Sequence, residues 1–358
     1  MKKILVVDDS ALMRRVLCDI INSDERFHVE DRATNGLEAF DLLSRKSYDA
    51  VVLDVNMPKM NGLELLRELQ KFKISARVMM ASTDTREGAK TTMEALELGA
   101  LDFIHKPDNA VACRANSFQS RMLEILATVA DAKPTPIVSA ESVKEERAVT
   151  VKVTELVRRH AAQVTGRKVV AIASSTGGPK ALQAVIPFLP ENLQAPVLIV
   201  QHMPKGFTAS LAERLDVLSK LKVKEAAEGD VLENGHVYVA MGGMHMNAVT
   251  GPDGRCVIHY TDEPHREGVK PCANYMFESL QNSRYDEVVC VVMTGMGADG
   301  TQGITHLKEK KKTYVITQDK DSCAVYGMPK SAFEAGLADT TVPLDQIAQE
   351  IILNVGVK

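Results

Sequence analysis

The sequence predicts an α/β protein of two domains, each a parallel sheet covered by helices, and three observations carry that expectation. Short β-rich apolar runs alternate with helically spaced apolar residues from Lys3 to about Ala130. The alternation stops over a charged stretch containing prolines, then resumes at Lys168. Alternation of this kind means βα units, whose crossover helices make the strands run parallel. At roughly 100 to 200 residues per domain, a chain of 358 residues accommodates two.

In chain order, residues 4–7, 50–53 and 78–81 read as strands, with a short fifth run at 102–104. Leu12, Val16, Leu17, Ile20 and Ile21 recur at helical spacing, as do Leu63, Leu65, Leu66 and Leu69. Lys133-Pro-Thr-Pro136, followed by a polar, charged stretch at 139–147, is the best linker candidate, with a short helix expected inside it at 151–163. Domains are therefore expected at 1–125 and 166–358, joined by 126–165. In the second, 169–173, 196–200, 287–293 and 313–317 read as strands and 179–188 as a helix. Residues 236–260, with Gly-rich turns at 242–243 and 251–254, read as inserted hairpins.

Composition narrows the function. With 45% hydrophobic and 25% charged residues, the chain is not collagen-like, wholly disordered or a disulfide scaffold. Net charge is −4, and from Arg167 onward 19 basic residues face 22 acidic ones, so nucleic acid is not an expected partner. Six cysteines without a CxxC pair fit free thiols in a reducing compartment. No apolar run approaches the ~18 residues of a membrane span, and only four apolar residues follow Met1-Lys2-Lys3, so a cytoplasmic location is expected.

Asp8 and Asp9 follow the first strand, Asp54 the third and Lys106 the fifth run, which puts all four at the carboxyl edge of a parallel sheet. Carboxylates with one lysine in such a crevice suit a hard divalent ion that shares its oxygens with a phosphate. Asp54 can then accept a phosphoryl group while the metal and Lys106 neutralise its charge. Over residues 1 to about 125 the chain resembles a response-regulator receiver domain, on Val6-Val7-Asp8-Asp9-Ser10, Leu53-Asp54-Val55-Asn56-Met57-Pro58, Asn61-Gly62, Ser82 and Lys106-Pro107. The resemblance implies a flavodoxin-like, five-stranded parallel sheet, Mg2+ among Asp8, Asp9 and Asp54, and Asp54 as phosphoacceptor. It also implies Ser82 as the switch hydroxyl, Lys106 as the phosphate-pairing cation, and a cis peptide before Pro107. Asn56 stands where such domains commonly have an acidic residue.

The second region carries Ala-Ser174-Ser175-Thr-Gly-Gly178-Pro between a buried strand and a helix. Paired glycines there let backbone amides approach an anion, a phosphate or an oxyanion equally. The next strand ends in Gln201-His202-Met203-Pro204, and a later one in Thr294-Gly-Met-Gly-Ala-Asp299-Gly300. Serine, histidine and aspartate from three strand ends suit a hydroxyl nucleophile, whose proton a base must remove and whose base a carboxylate must orient. On the residues alone, either serine also serves as a helix cap, His202 as an edge histidine and Asp299 as a turn residue.

Ser175-Thr-Gly-Gly178, Gln201-His-Met-Pro204 with Gly206-Phe-Thr208, Thr294-Gly-Met-Gly297 with Asp299-Gly300, and Cys323-Ala-Val-Tyr-Gly-Met-Pro329 resemble the catalytic domain of chemotaxis methylesterases of the CheB type. That resemblance implies a three-layer, doubly wound α/β domain with Ser175 as nucleophile, His202 as general base and acid, and Asp299 as the orienting carboxylate. It assigns the Thr176 and Met296 amides to the oxyanion and needs no metal there. The implied activity is glutamate γ-methyl ester hydrolysis, with glutamine deamidation, on chemoreceptors, and the implied phosphodonor is a chemotaxis histidine kinase. Membrane contact would come only through receptors, and a monomer is expected. Ala240-Met-Gly-Gly-Met-His-Met246 and Lys270-Pro-Cys-Ala-Asn274 depart from family patterns nearer Ala-Pro-Gly-Asp-x-His-Met and Arg-Pro-Ser-Val-Asp, and are expected near the substrate groove or its supports.

Two rivals differ in class. A DNA-binding output domain should show a basic face, which the charge balance opposes. A nucleotide-binding domain should place an acidic ribose partner about 20 residues after the glycines, where Ala195-Pro196 stands instead.

Overall fold

The computed structural model describes residues 1–83, 86–107, 112–133 and 166–358, and it divides into two compact units, Met1–Val138 and Ser139–Lys358. The helix expected at 151–163 lies outside the described residues, as does most of the expected linker.

In the first unit, β1 (Lys2–Val7), β2 (Phe27–Ala33), β3 (Ala50–Asp54), β4 (Val78–Thr83) and β5 (Asp102–Lys106) form an all-parallel sheet in the order β2-β1-β3-β4-β5. The strand order reverses between β1 and β3, which opens a crevice at their carboxyl ends. β3 is buried throughout and β1 over its last four residues, as strands covered on both faces are. The helices are α1 (Ala11–Asn22), α2 (Gly36–Arg45), α3 (Gly62–Lys71), α4 (Arg86–Glu97) and α5 (Asn116–Asp131). The first three start on Ser10, Asn35 and Asn61, whose side chains accept amides of Met13, Glu38 and Glu64 that would otherwise lack partners. Val16, Leu17, Ile20 and Ile21 are buried as their spacing predicts. Leu12 is 61% exposed, because the first turn of α1 lies out in solvent with residues 9–11. α5 runs past the boundary expected at residue 125.

In the second unit, β6 (Lys168–Ser174), β7 (Val197–Gln201), β8 (Lys222–Glu225) and β9 (His236–Val239) precede a hairpin of β10 (His245–Thr250) and β11 (Cys256–Thr261), and β12 (Glu287–Val292), β13 (Lys312–Gln318) and β14 (Thr340–Val342) follow. Seven of them form a parallel sheet ordered β14-β13-β12-β6-β7-β9-β8. The chain builds outward from β6 through β7, then returns to β6's other side with β12, so the switch point lies beside β6. Every residue of β6, β7 and β12 is buried. The helices are α6 (Gly178–Val185), α7 (Phe207–Leu218), α8 (Ala273–Ser279), α9 (Thr301–Lys308), α10 (Met328–Glu334) and α11 (Ile347–Val355).

Two expectations are corrected. Of the stretch 236–260 read as hairpins, only β10 and β11 form one, while β9 joins the parallel sheet between β7 and β8. Val237, Tyr238 and Val239 are all buried, and a strand without alternation belongs to a sheet covered on both faces. The Lys106–Pro107 peptide is not cis; among the described residues the cis bond is Lys270–Pro271.

Candidate functional site

Two groups of polar side chains stand at the two switch points. In the first unit, Asp8 and Asp9 leave the end of β1, while Asp54 and Lys106 are the last residues of β3 and β5. Lys106 Nζ lies 2.7 Å from Asp54 Oδ1 and 3.1 Å from Asp8 Oδ2. Burial works against the Lys106 charge, but Asp54 and Asp8 outweigh it and hold the ammonium above its ordinary range. Asp8 and Asp54 are buried and Asp9 is exposed, and one oxygen of each lies within 4.8 Å of the others. Three carboxylates around one lysine leave negative charge in excess, a donor set that fits a hard divalent cation.

The α3 start explains Asn61-Gly62. A Cβ on Gly62 would stand 2.4 Å from the Asp54 carbonyl oxygen, so only glycine lets the helix approach this strand end. Ser82 lies within β4 and is buried, and its hydroxyl is 2.8 Å from that of Thr92 on α4. Thr92 is a partner that motif reasoning missed, since a threonine inside a helix carries no local signal.

In the second unit, Ser175 and His202 are the residues just beyond β6 and β7, whose last register pair is Ser174 with Gln201. The two serines have different surroundings. Ser174 is fully buried and its hydroxyl donates to Gln201 Oε1 at 2.7 Å, whereas Ser175 stands at the turn into α6. Gln201 Nε2 donates to the Ser175 carbonyl at 2.9 Å. Among the described residues, Ser175 Oγ makes no hydrogen bond to His202.

His202 Nε2 lies 2.7 Å from Asp299 Oδ2. Asp299 also accepts the amides of Ala273 (2.6 Å) and Asn274 (2.9 Å) and the Cys272 thiol (3.0 Å). Burial raises the proton affinity of this carboxyl, but the bonds from His202, Cys272 and Ala273 outweigh it and hold Asp299 below the ordinary carboxylate range. Asn274 returns the favour, since its Oδ1 accepts the amides of Gly300 and Gly303 at the start of α9. Asp299 thus closes the start of α8 while Asn274 closes the start of α9.

The peptide between Gly295 and Met296 is held from one side. Its carbonyl accepts the amides of Gly327 (3.0 Å) and Met328 (2.9 Å). In a trans peptide the N–H points opposite to the C=O, so this turns the Met296 amide away from α10. A Cβ on Gly295 would lie 2.7 Å from Ser175 Cβ, so this loop passes close beside the serine. The Thr294 hydroxyl donates to the Thr176 carbonyl at 3.0 Å and ties the two turns together.

The departures at 240–246 and 270–274 are supports of this group. Gly242 lies against Pro204, two residues after His202, where a Cβ would meet backbone at 2.3 Å, and Gly243 N–H donates to the Lys270 carbonyl at 3.2 Å. Sequence reasoning singled out both segments but gave Cys272 and Asn274 no role.

Comparison with known proteins agrees with this layout. The CheB methylesterase family model matches residues 170–351, and the response regulator receiver domain model matches residues 4–115. The chain is similar to the protein-glutamate methylesterase/protein-glutamine glutaminase of Pyrococcus abyssi, with 44% identity over 350 residues, 98% of this chain and 92% of that protein. The protein of the same name from Bacillus subtilis is 39% identical over 354 residues, 98% of each. The crystal structure of the Thermotoga maritima CheB methylesterase catalytic domain aligns with a TM-score of 0.50 at 40% identity, over 53% of this chain and 98% of that one.

Proposed function

Because this chain belongs to the CheB methylesterase family and carries a response-regulator receiver domain, we propose that it hydrolyses glutamate γ-methyl esters of chemoreceptors under control of phosphorylation at Asp54. In this reading Ser175 Oγ attacks the ester carbonyl as its proton passes to His202. Asp299 engages Nε2, which leaves Nδ1 as the ring nitrogen that moves the proton. The carbonyl oxygen becomes an oxyanion against the Thr176 and Met296 amides, the arrangement that stabilises charge where it develops. Collapse breaks the bond to methoxide, which takes the proton from His202 and leaves as methanol. A water, deprotonated by the same ring, then attacks the acyl-serine; the bond to Oγ breaks, Oγ takes that proton back from His202, and the product leaves as the carboxylate. A glutamine amide follows the same course with ammonia leaving, which accounts for the glutaminase activity.

The observation that carries this reading is the 2.7 Å His202–Asp299 bond at the end of the strand next to Ser175. The hydroxyl of Ser174 is engaged with Gln201, which supports Ser175 as the nucleophile. The test is methanol release from methyl-labelled receptor membranes by Ser175→Ala and Ser174→Ala. Loss of turnover in the first and its retention in the second is expected, and the reverse would overturn the assignment.

In the receiver, Asp8, Asp9 and Asp54 would hold Mg2+, which when bound offsets charge on the phosphoryl oxygens. An Asp54 oxygen bonds to phosphorus as the donor's bond breaks, with a chemotaxis histidine kinase as the donor. Lys106 pairs with the phosphoryl group, and Ser82 gives up Thr92 to turn toward it. The reading places the protein in the cytoplasm, reaching the membrane through receptors. Among the described residues no helix is long and apolar enough to cross one.

A further inference from the structure

Of the four donors on Asp299, two are backbone amides and one is His202 itself. The fourth is the Cys272 thiol, at 3.0 Å from Oδ1. Cys272 is fully buried, and so nearly is Asp299, so no bulk water competes for that oxygen. Burial first, and then the neighbouring Asp299 charge, push the thiol far above its ordinary range, which keeps it protonated and donating. The cysteine is itself pinned from behind. Its amide donates to His245 Nδ1 at 3.2 Å, so His245 carries its hydrogen on Nε2, which faces the Pro264 carbonyl at 3.2 Å. The His245 ring is fully buried and packs on Tyr275 at 4.5 Å between centroids.

We propose that Cys272 is a positioning residue of the esterase, whose thiol, anchored through His245, fixes the direction and effective charge of the Asp299 carboxylate and through it the His202 ring. The inference rests on the triad reading above. A buried carboxylate shares its charge among its donors, so each donor removed leaves more of it to hold a protonated imidazole. The backbone amides are the same whatever the side chains, which makes the side chain at 272 the adjustable member. A thiol is a weak donor and a hydroxyl a stronger one, so alanine, cysteine and serine form a graded series at one position. Among the described residues, the titratable groups bonded to Asp299 are His202 and Cys272, with His245 one step behind; the Arg266 charge acts on Cys272, and those of Lys270 and Glu263 act on His245.

The experiment uses the full chain and methyl-labelled receptor membranes, with kcat and KM measured across pH for wild type, Cys272→Ala, Cys272→Ser and Asp299→Asn. Loss of one hydrogen bond to the carboxylate should lower kcat about three- to tenfold in Cys272→Ala, with KM unchanged. The acid limb of the kcat profile should move to higher pH in Cys272→Ala and to lower pH in Cys272→Ser, and serine should restore kcat. A purely structural role would lower activity without this ordered movement of the limb. Limbs that coincide for all three side chains overturn the proposal, as does a loss in alanine that serine does not restore. If Cys272→Ala fails to fold, the Cys272→Ser limb alone decides. Unchanged kcat in Asp299→Asn would instead sink the triad reading itself, whereas a collapsed Asp299→Asn beside indistinguishable Cys272 variants sinks only this inference.

Discussion

In the receiver, Asp8 and Asp54 lie buried against one cation, Lys106, and exposed Asp9 adds a third carboxylate. In the esterase domain one buried carboxylate, Asp299, meets four donors. Both groups sit at the carboxyl edge of a parallel sheet beside a switch point, so topology supplies the address and not the behaviour. The receiver site is short of positive charge, so it suits an added cation, and only with one in place would it suit a phosphoryl group. The esterase-domain carboxylate is already satisfied by its four donors and has no comparable shortage of positive charge.

If that contrast is right, the largest effects fall on the reacting groups of the esterase site. Ser175→Ala and His202→Ala should each abolish methanol release, leaving at most about a thousandfold acceleration from binding and the oxyanion donors. Asp299→Asn comes next: it keeps the shape but can hold the His202 ring in the wrong tautomer, so kcat should fall by up to ~10^4 with little change in KM. An Asp299→Asn enzyme with wild-type kcat would remove the carboxylate from the triad. Metal dependence should separate the two sites. Chelation of divalent cations should remove stimulation by a small phosphodonor, as should Asp54→Ala, while methanol release by the unstimulated enzyme should be insensitive to the chelator. Chelator-sensitive basal release would break the contrast.

The smallest expected effect concerns stability in weak acid. Burial, only partly offset by the bond to Pro264, lowers the proton affinity of His245 below the ordinary histidine value of 6.5. The unfolded chain then binds a proton near that pH that the folded chain refuses. Stability is fully present above pH 6.5 and declines as pH falls below it, by up to about 1.4 kcal/mol per pH unit for one proton. Urea titrations at pH 7.5 and 5.5 should show the decline, and His245→Gln should flatten it.

Much of this was legible in the chain. Asp8, Asp54, Ser175 and His202 are readable because each touches the end of an apolar strand, and a parallel sheet brings strand ends to one edge. Asp299 is legible as a turn residue, but its partners are not. Ala273 and Asn274 lie about 25 residues earlier in sequence, and a helix start capped from that distance leaves no local pattern. The same limit hid Thr92 behind Ser82. The misreading of β9 has another cause, since a short apolar run before paired glycines looks the same whether the chain folds back or passes on.

The reciprocal closure of α8 and α9 bears on how this domain can be re-engineered. Asp299 and Asn274 each cap the helix that begins beside the other, so the two segments are matched halves of one part. A chimera that takes the 266–279 segment from a relative but keeps residues 294–303 pairs a foreign plug with a native socket. Exchanging both together carries the fit across. The unit of transfer between such enzymes is therefore this discontinuous pair, and a substrate-specificity graft that treats either loop as self-contained disturbs the Asp299–His202 bond as a side effect.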